Sequence, residues 1–329
     1  SMKMLKFAIP GLAVAALAAG AAPVAVNAAE VTLRGGSCFP IGSPPGRPFE
    51  ALVKEMNAKG KDVVQINLLG GAPAIGSPFT LTQRMAKGAY DMVGCTEAYF
   101  GNVLPEAPVL RLQEYDFATL RKRGAIAYVS KLLAAKNLHY VGRYWDYGTF
   151  HLFLSKPITG PDLKGLHLRV APVYTAFFKA LGATVQLAAM PKIYTLMESN
   201  TVQGFGWPAV GWNPAWAKVT KFRVDPGFYN ASLHLLVNLK KWKSLSDAQR
   251  KFITDLTLEH ESAAETTKPR FQALRKKTMA WYESKGIKTI EMKGADREKW
   301  LGTAKKAAWD EVLKRSPEHG KKLMELFTK

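Results

Sequence analysis

Between Asp162 and Pro208 the chain reads DLKGLHLRVAPVYTAFFKALGATVQLAAMPKIYTLMESNTVQGFGWP. An apolar strand feeds a helix, a second apolar strand, another helix, and then a turn rich in glycine and tryptophan. Strands that alternate with helices in this way build a mainly parallel α/β sheet. One residue sits badly in that pattern. Arg169 lies inside the first apolar strand, where a charge is costly unless a partner satisfies it. Its guanidinium is a planar fork of donors that fits a carboxylate with two parallel bonds. Two readings follow: a pocket for a small organic anion, or an ion pair with a structural Asp or Glu. The local pattern leaves both open.

The same alternation extends along the chain. Strands are expected at Val31 to Gly35, Val63 to Leu69, Tyr90 to Gly94, His139 to Arg143, His151 to Ser155, His234 to Asn238 and Ile287 to Met292. Helices are expected near Arg47 to Ala58, Thr80 to Lys87, Ala118 to Leu133 and Arg297 to Thr328. Ser246 is a good N-cap for a long helix to about Ser284, with Glu261 and Glu265 near its centre and Pro269 kinking or splitting it. Gly70, Gly71 and Gly76 mark a loop. Without an expected N-terminal signal segment, about 300 of the 329 residues remain, more than one comfortable core, so two domains are expected.

Lys3 and Lys6, an apolar run from Phe7 to Val26 and the small-residue exit Val26-Asn27-Ala28 predict a cleaved secretory signal over residues 1–28, with an N-terminal anchor as the alternative. The net charge of +20 invites a nucleic-acid reading. The cations are spread over amphipathic helices, as in Lys268 to Lys277 and Lys299 to Lys321, and no nucleic-acid motif accompanies them. The positive field would instead raise the on-rate of anionic ligands. Cys38 and Cys95 each follow a strand. Export permits a disulfide between them, and two separate thiols are the alternative. Two cysteines with no histidine partner do not make a zinc site, and nothing demands a cofactor.

No catalytic constellation stands out. GxSxG, HExxH, a Walker loop and a post-strand GxGxxG are absent, and the six histidines show no ligand spacing on one helix. His151 near Asp146 is the nearest approach to an acid–base pair.

The segment LKGLHLRV with its FFKALGA helix resembles the second-domain signature of the solute-binding proteins of tripartite ATP-independent periplasmic (TRAP) transporters, the DctP type. LLGGAPAIGSPFTLTQRMAKGAYDMVGCTEAY, Leu68 to Tyr99, resembles that family's first-domain segment, and SLSDAQRKFI, Ser244 to Ile253, the start of its long helix. The resemblance covers nearly all of the chain beyond the signal segment. It implies two α/β lobes joined by crossing strands, a long helix spanning both, and a ligand cleft between them. The lobes would comprise residues 29–150 plus about 234–283, and residues 151–233 plus about 284–329. It also implies a periplasmic, non-enzymatic binding protein, expected as a monomer, that hands its ligand to membrane permease subunits. A sensor kinase partner and a periplasmic enzyme are the alternatives.

In that family the arginine of the LKGLxxRV strand, here Arg169, grips the ligand carboxylate. Two departures modify the expectation. The family's usual G-x-R arginine is replaced by Phe150, and the asparagine of its polar turn by Trp207. One anion anchor with two aromatic walls predicts a monocarboxylate with an aromatic, 2-oxo or apolar body, rather than a dicarboxylate or sugar acid. Phe150 and Trp207 as plain packing residues is the alternative. Strand-end positions add Ser37 and Phe39 after the first strand, Ala74 and Ile75 in the glycine loop, Glu97 and Tyr99 beyond Cys95, Tyr174 after Arg169, and Trp212 after the Trp207 turn.

Overall fold

The computed structural model describes residues 28–329; the expected signal segment up to Asn27 lies outside the described residues. Ten strands form one sheet. β1 (Val31–Ser37) lies between β2 (Val64–Gly71) and β3 (Met92–Cys95), all parallel. At the other side, β5 (His167–Val170) lies between β6 (Thr184–Leu187) and β7 (Gly204–Pro208), again parallel. Two long antiparallel strands join these groups: β4 (Leu138–Leu154) pairs with β7, β9 (Phe228–Asn238) pairs with β3, and the two pair with each other. β8 (Phe222–Asp225) pairs with the end of β4 and with β10 (Lys288–Glu291). The expected α/β class, with strands crossing between two halves, is the observed one.

The strands expected at 139–143 and 151–155 are one 17-residue strand, β4. Its pairing with β9 shifts register at several points, including Asp146/Thr149, and Gly148 there has φ +75°. The irregular middle hid the continuity. The expected helix 118–133 is also two elements, α3 (Phe117–Lys122) and α4 (Ala125–Ala134). Gly124 between them has φ +79°, a left-handed conformation that glycine adopts without a Cβ penalty.

α1 (Arg47–Lys59) buries Phe49, Leu52, Val53 and Met56, the i, i+3, i+4, i+7 stripe of an amphipathic helix. The long helix divides as its proline dictates. α8 (Asp247–Ala263) starts at Ser246 with a capping box to Gln249. α9 (Pro269–Ser284) restarts with Pro269 in its first turn, where the missing N–H costs nothing. α8 is tied to β4 by charge. Arg121 Nε donates to Glu261 Oε1 at 2.6 Å, Arg143 N donates to Glu261 Oε2 at 2.9 Å, and the Arg143 guanidinium reaches Asp146 and Glu265 at 2.7 and 2.8 Å. Asp146 is therefore spent on Arg143, not on His151, whose Nδ1 lies 2.9 Å from an Asp225 carboxylate oxygen.

α9 buries only Tyr282, under Phe153 and Trp212, so it packs with the β7 side. The expected terminal helix is α10 (Gly294–Arg315) and α11 (Gly320–Phe327). Pro317 breaks it, because the residue before a proline avoids the helical region. α11 returns to the β1 side, where Arg123 donates to the carbonyls of Glu325 and Leu326. No described helix is long and apolar enough to cross a membrane.

Candidate ligand cleft

Strand ends converge on one small cavity, as expected where open α/β sheets meet. Its walls come from Phe39 after β1, Thr96 and Tyr99 after β3, Tyr147 and Phe150 of β4, Tyr174 after β5, and Trp207 of β7. The cavity measures about 30 Å³. An organic acid enters only if these walls part. Tyr99 also borders a second, larger space of about 290 Å³, between Phe79 and Pro108 on one side and Pro172, Val173 and Leu187 on the other.

Arg169 is fully buried behind these aromatics. Its Nε donates to Ala188 O at 2.7 Å and its Nη1 to Gly206 O and Tyr174 Oη, both at 3.1 Å. Its Nη2 has no partner. The Trp207 ring lies 5.5 Å from the guanidinium carbon, within cation–π range. No carboxylate is paired with Arg169, so the structural ion pair allowed by the sequence is not what the strand holds. Burial raises the Tyr99 and Tyr174 phenols, and the Arg169 charge partly offsets it in both.

The register explains why the two aromatic replacements are neighbours: antiparallel pairing sets Phe150 against Pro208 and His151 against Trp207. Phe150 stacks toward Tyr174 and Phe228, while Trp207 meets Phe39 at 6.1 Å and Trp216 at 5.2 Å. Phe39, Tyr99, Phe150, Tyr174 and Trp207 thus surround the one cavity beside Arg169.

Three expected site residues are placed elsewhere. Glu97 is fully buried with His234 Nε2 at 2.7 Å and Arg111 Nε at 3.4 Å. Burial pushes its carboxyl up, and Arg111 with His234 more than offsets this, leaving it below the usual range. Trp212 packs among Phe153, Phe205, Trp216 and Tyr282, away from the cavity; its place after the Trp207 turn put it in the β7-side core. Ile75 covers Gly36 and Gly70, and its carbonyl accepts from Arg84 Nη1 at 2.7 Å. Ser37 accepts from Phe39 N and shapes the turn, and Ala74 is exposed.

Cys38 and Cys95 are disulfide-bonded with Cα atoms 5.1 Å apart. Parallel pairing of Ser37 with Gly94 brings the next residue of each strand side by side. The bond fixes the Phe39 wall to the Thr96–Tyr99 wall. Sequence reasoning missed Tyr147, whose hydroxyl donates to Pro44 O at 3.3 Å, and it missed Arg111. The motif VLRL carries the same signal as HLRV, a single arginine within an apolar run. Among the described residues, no group of three or more His, Cys, Asp or Glu is arranged to hold a metal.

Solved structures share this fold. A TRAP periplasmic solute binding protein from Desulfovibrio salexigens with bound orotic acid superposes with a TM-score of 0.78 at 19% identity, over 90% of this chain and 97% of that one. One from Ralstonia eutropha H16 with bound (S)-2-acetolactate gives 0.74 at 18%, over 90% and 98%. One from Rhodoferax ferrireducens with bound malonate gives 0.75 at 19%, over 89% and 96%. Residues 39–316 match the model of the bacterial extracellular solute-binding protein family 7, DctP. This chain therefore belongs to that family, as a non-enzymatic solute-binding component of a TRAP transporter.

Proposed function

We propose that this protein captures an organic monocarboxylate whose carboxyl group is held by Arg169, with Tyr99, Phe150, Tyr174 and Trp207 around its body, and delivers it to membrane permease subunits. The observation that carries this reading is the free Nη2 of a fully buried guanidinium beside an aromatic-lined cavity. A buried donor without a partner is costly, and a ligand carboxylate removes that cost. The aromatic walls cannot hydrogen-bond a second carboxylate or several hydroxyls, which favours an aromatic, 2-oxo or apolar acid. The orotic acid of one relative fits that class; the 2-acetolactate of another shares the single carboxylate but carries a 2-hydroxyl and a 3-oxo group, and malonate has two carboxylates.

The signal segment and a disulfide fit a protein exported to the periplasm. Two lobes with a hinge fit ligand capture by closure. The contacts favour the proposed lobe division with two changes, the segment from about 269 to 284 joining the second lobe and the last helix joining the first.

A thermal-shift screen of the mature protein tests the reading, since a ligand in excess of its Kd raises the melting temperature. Shifts with orotate, phenylpyruvate or branched-chain 2-oxo acids, lost in Arg169→Met, are expected. Shifts with malonate or glucuronate alone would overturn the ligand class, and binding retained in Arg169→Met would overturn the anchor.

A further inference from the structure

Arg111 ends a 3-10 turn, Ala107–Arg111, and is almost fully buried. Three other arginines in apolar strands have found partners. Arg143 reaches Asp146 and Glu265, Arg223 reaches Asp225 and Thr289, and Arg169 has two carbonyls and a phenol. Arg111 has none: Nε, Nη1 and Nη2 all lack a hydrogen bond. Its charge is nonetheless balanced, because Glu97 Oε1 lies 3.4 Å from Nε.

Arg111 is one of the residues lining the larger cleft space of about 290 Å³, with its guanidinium nitrogens covered in this form. That volume approaches the size of ordinary small-molecule pockets, while the Arg169 cavity alone is far smaller. The two spaces share Tyr99 as a wall, and the Tyr174 hydroxyl feels both guanidinium charges. The other cation there, Arg315, already donates to Gly101 O and faces Glu311.

A guanidinium with free N–H groups and a neutralised charge suits a neutral acceptor. A second carboxylate would meet the Glu97 charge, whereas a carbonyl oxygen would accept Nη donors without adding charge. We infer that Arg111 is a specificity residue that donates to a carbonyl oxygen on the body of the ligand, so that this protein selects oxo-bearing monocarboxylates over their deoxo counterparts. The inference rests on the organic-acid reading above and narrows it.

The test is calorimetric titration with three matched pairs: phenylpyruvate and 3-phenylpropionate, 4-oxopentanoate and pentanoate, orotate and pyrimidine-4-carboxylate. One hydrogen bond from a charged donor corresponds to a preference of about ten- to hundredfold. The carbonyl member of at least one pair is expected to bind the wild type that much tighter. In Arg111→Met/Glu97→Gln, which removes both charges together, its affinity is expected to fall to that of its partner. If that variant does not fold, Arg111→Lys keeps a cation opposite Glu97 without the fork and carries the same comparison. Equal affinities within every pair, or a preference that survives these substitutions, would overturn the role of Arg111 and leave the monocarboxylate reading standing. Binding of no acid by the wild type would overturn both.

Discussion

The ring of Tyr174 rests on the bare backbone of Gly206. Its hydroxyl donates to the Gly206 carbonyl at 2.7 Å, and a Cβ on Gly206 would stand 2.6 Å from the ring. Arg169 Nη1 shares that carbonyl, so one glycine sets the position of both the anchor and its wall. Gly206→Ala is expected to push Tyr174 out of place, cost about 1–3 kcal/mol of stability as an overpacked core site does, and weaken carboxylate binding at least tenfold. Thermal unfolding and ligand titration read the two effects separately. Unchanged affinity would mean that Tyr174 does not hold Arg169 in position.

The Cys38–Cys95 bond closes a loop across a sequence separation of 57 residues and joins two walls of the cleft. Cross-linking a loop of that size stabilises by about 2–4 kcal/mol. Reduction, or Cys38→Ser/Cys95→Ser, is expected to lower the melting temperature by that equivalent, and to weaken ligand binding because Phe39 and Tyr99 lose their common tether. Calorimetry with and without reductant checks the first part, and titration under reductant the second.

Legibility of the chain followed the range of the interactions. Period and punctuation are local, so β1, α1, the Ser246 cap and the split at Pro269 could be read directly. β4 could not be read as one strand, because Gly148 and the register shifts interrupt its alternation. The site divided along the same line. Arg169 stood out as a charge in an apolar strand, yet Arg111, Arg143 and Arg223 carry the same local signal. Their partners tell them apart: Asp225 on the same strand for Arg223, Asp146 with Glu265 from just beyond α8 for Arg143, and Glu97 from beyond β3 for Arg111. Trp207 and Trp212 differ as little in sequence, and the packing of Tyr282 from α9 is what draws Trp212 into the core.

His139 stacks on Trp242 at 4.0 Å, and burial, with Arg250 nearby, lowers its pKa from the usual 6.5 to about 4. The folded form therefore resists protonation that the unfolded chain accepts. Its contribution is fully present above pH 6.5 and is lost as the pH falls from 6.5 towards 4, by about 1–3 kcal/mol once solvent screening is allowed for. Asp146, raised by burial to about 6, acts in the opposite sense over part of that window. The comparison that isolates His139 is therefore wild type against His139→Phe across pH 4 to 7. The variant is expected to lose less stability on acidification; parallel curves would show that His139 titrates normally.

Trp207 decides whether the aromatic replacements are walls or filler. Its ring faces Arg169, Phe39 and Trp216, and its Nε1 donates to Gly211 O at 3.3 Å. Trp207→Phe keeps an aromatic face and removes the hydrogen bond and part of the area; Trp207→Leu removes the face as well. Both should destabilise, by about 1–3 kcal/mol for lost burial, and stability alone cannot separate the roles. Ligand selectivity can. If the ring stacks on bound acids, Trp207→Leu will lose affinity for phenylpyruvate or orotate by about three- to tenfold more than for 4-methyl-2-oxopentanoate, the value of one aromatic pair, while Trp207→Phe keeps most of that difference. If the ring only fills space, aromatic and aliphatic acids will weaken in step in both variants. The second result would leave Arg169 as the anchor and move the preference for flat ligands to Phe39, Tyr99 and Phe150.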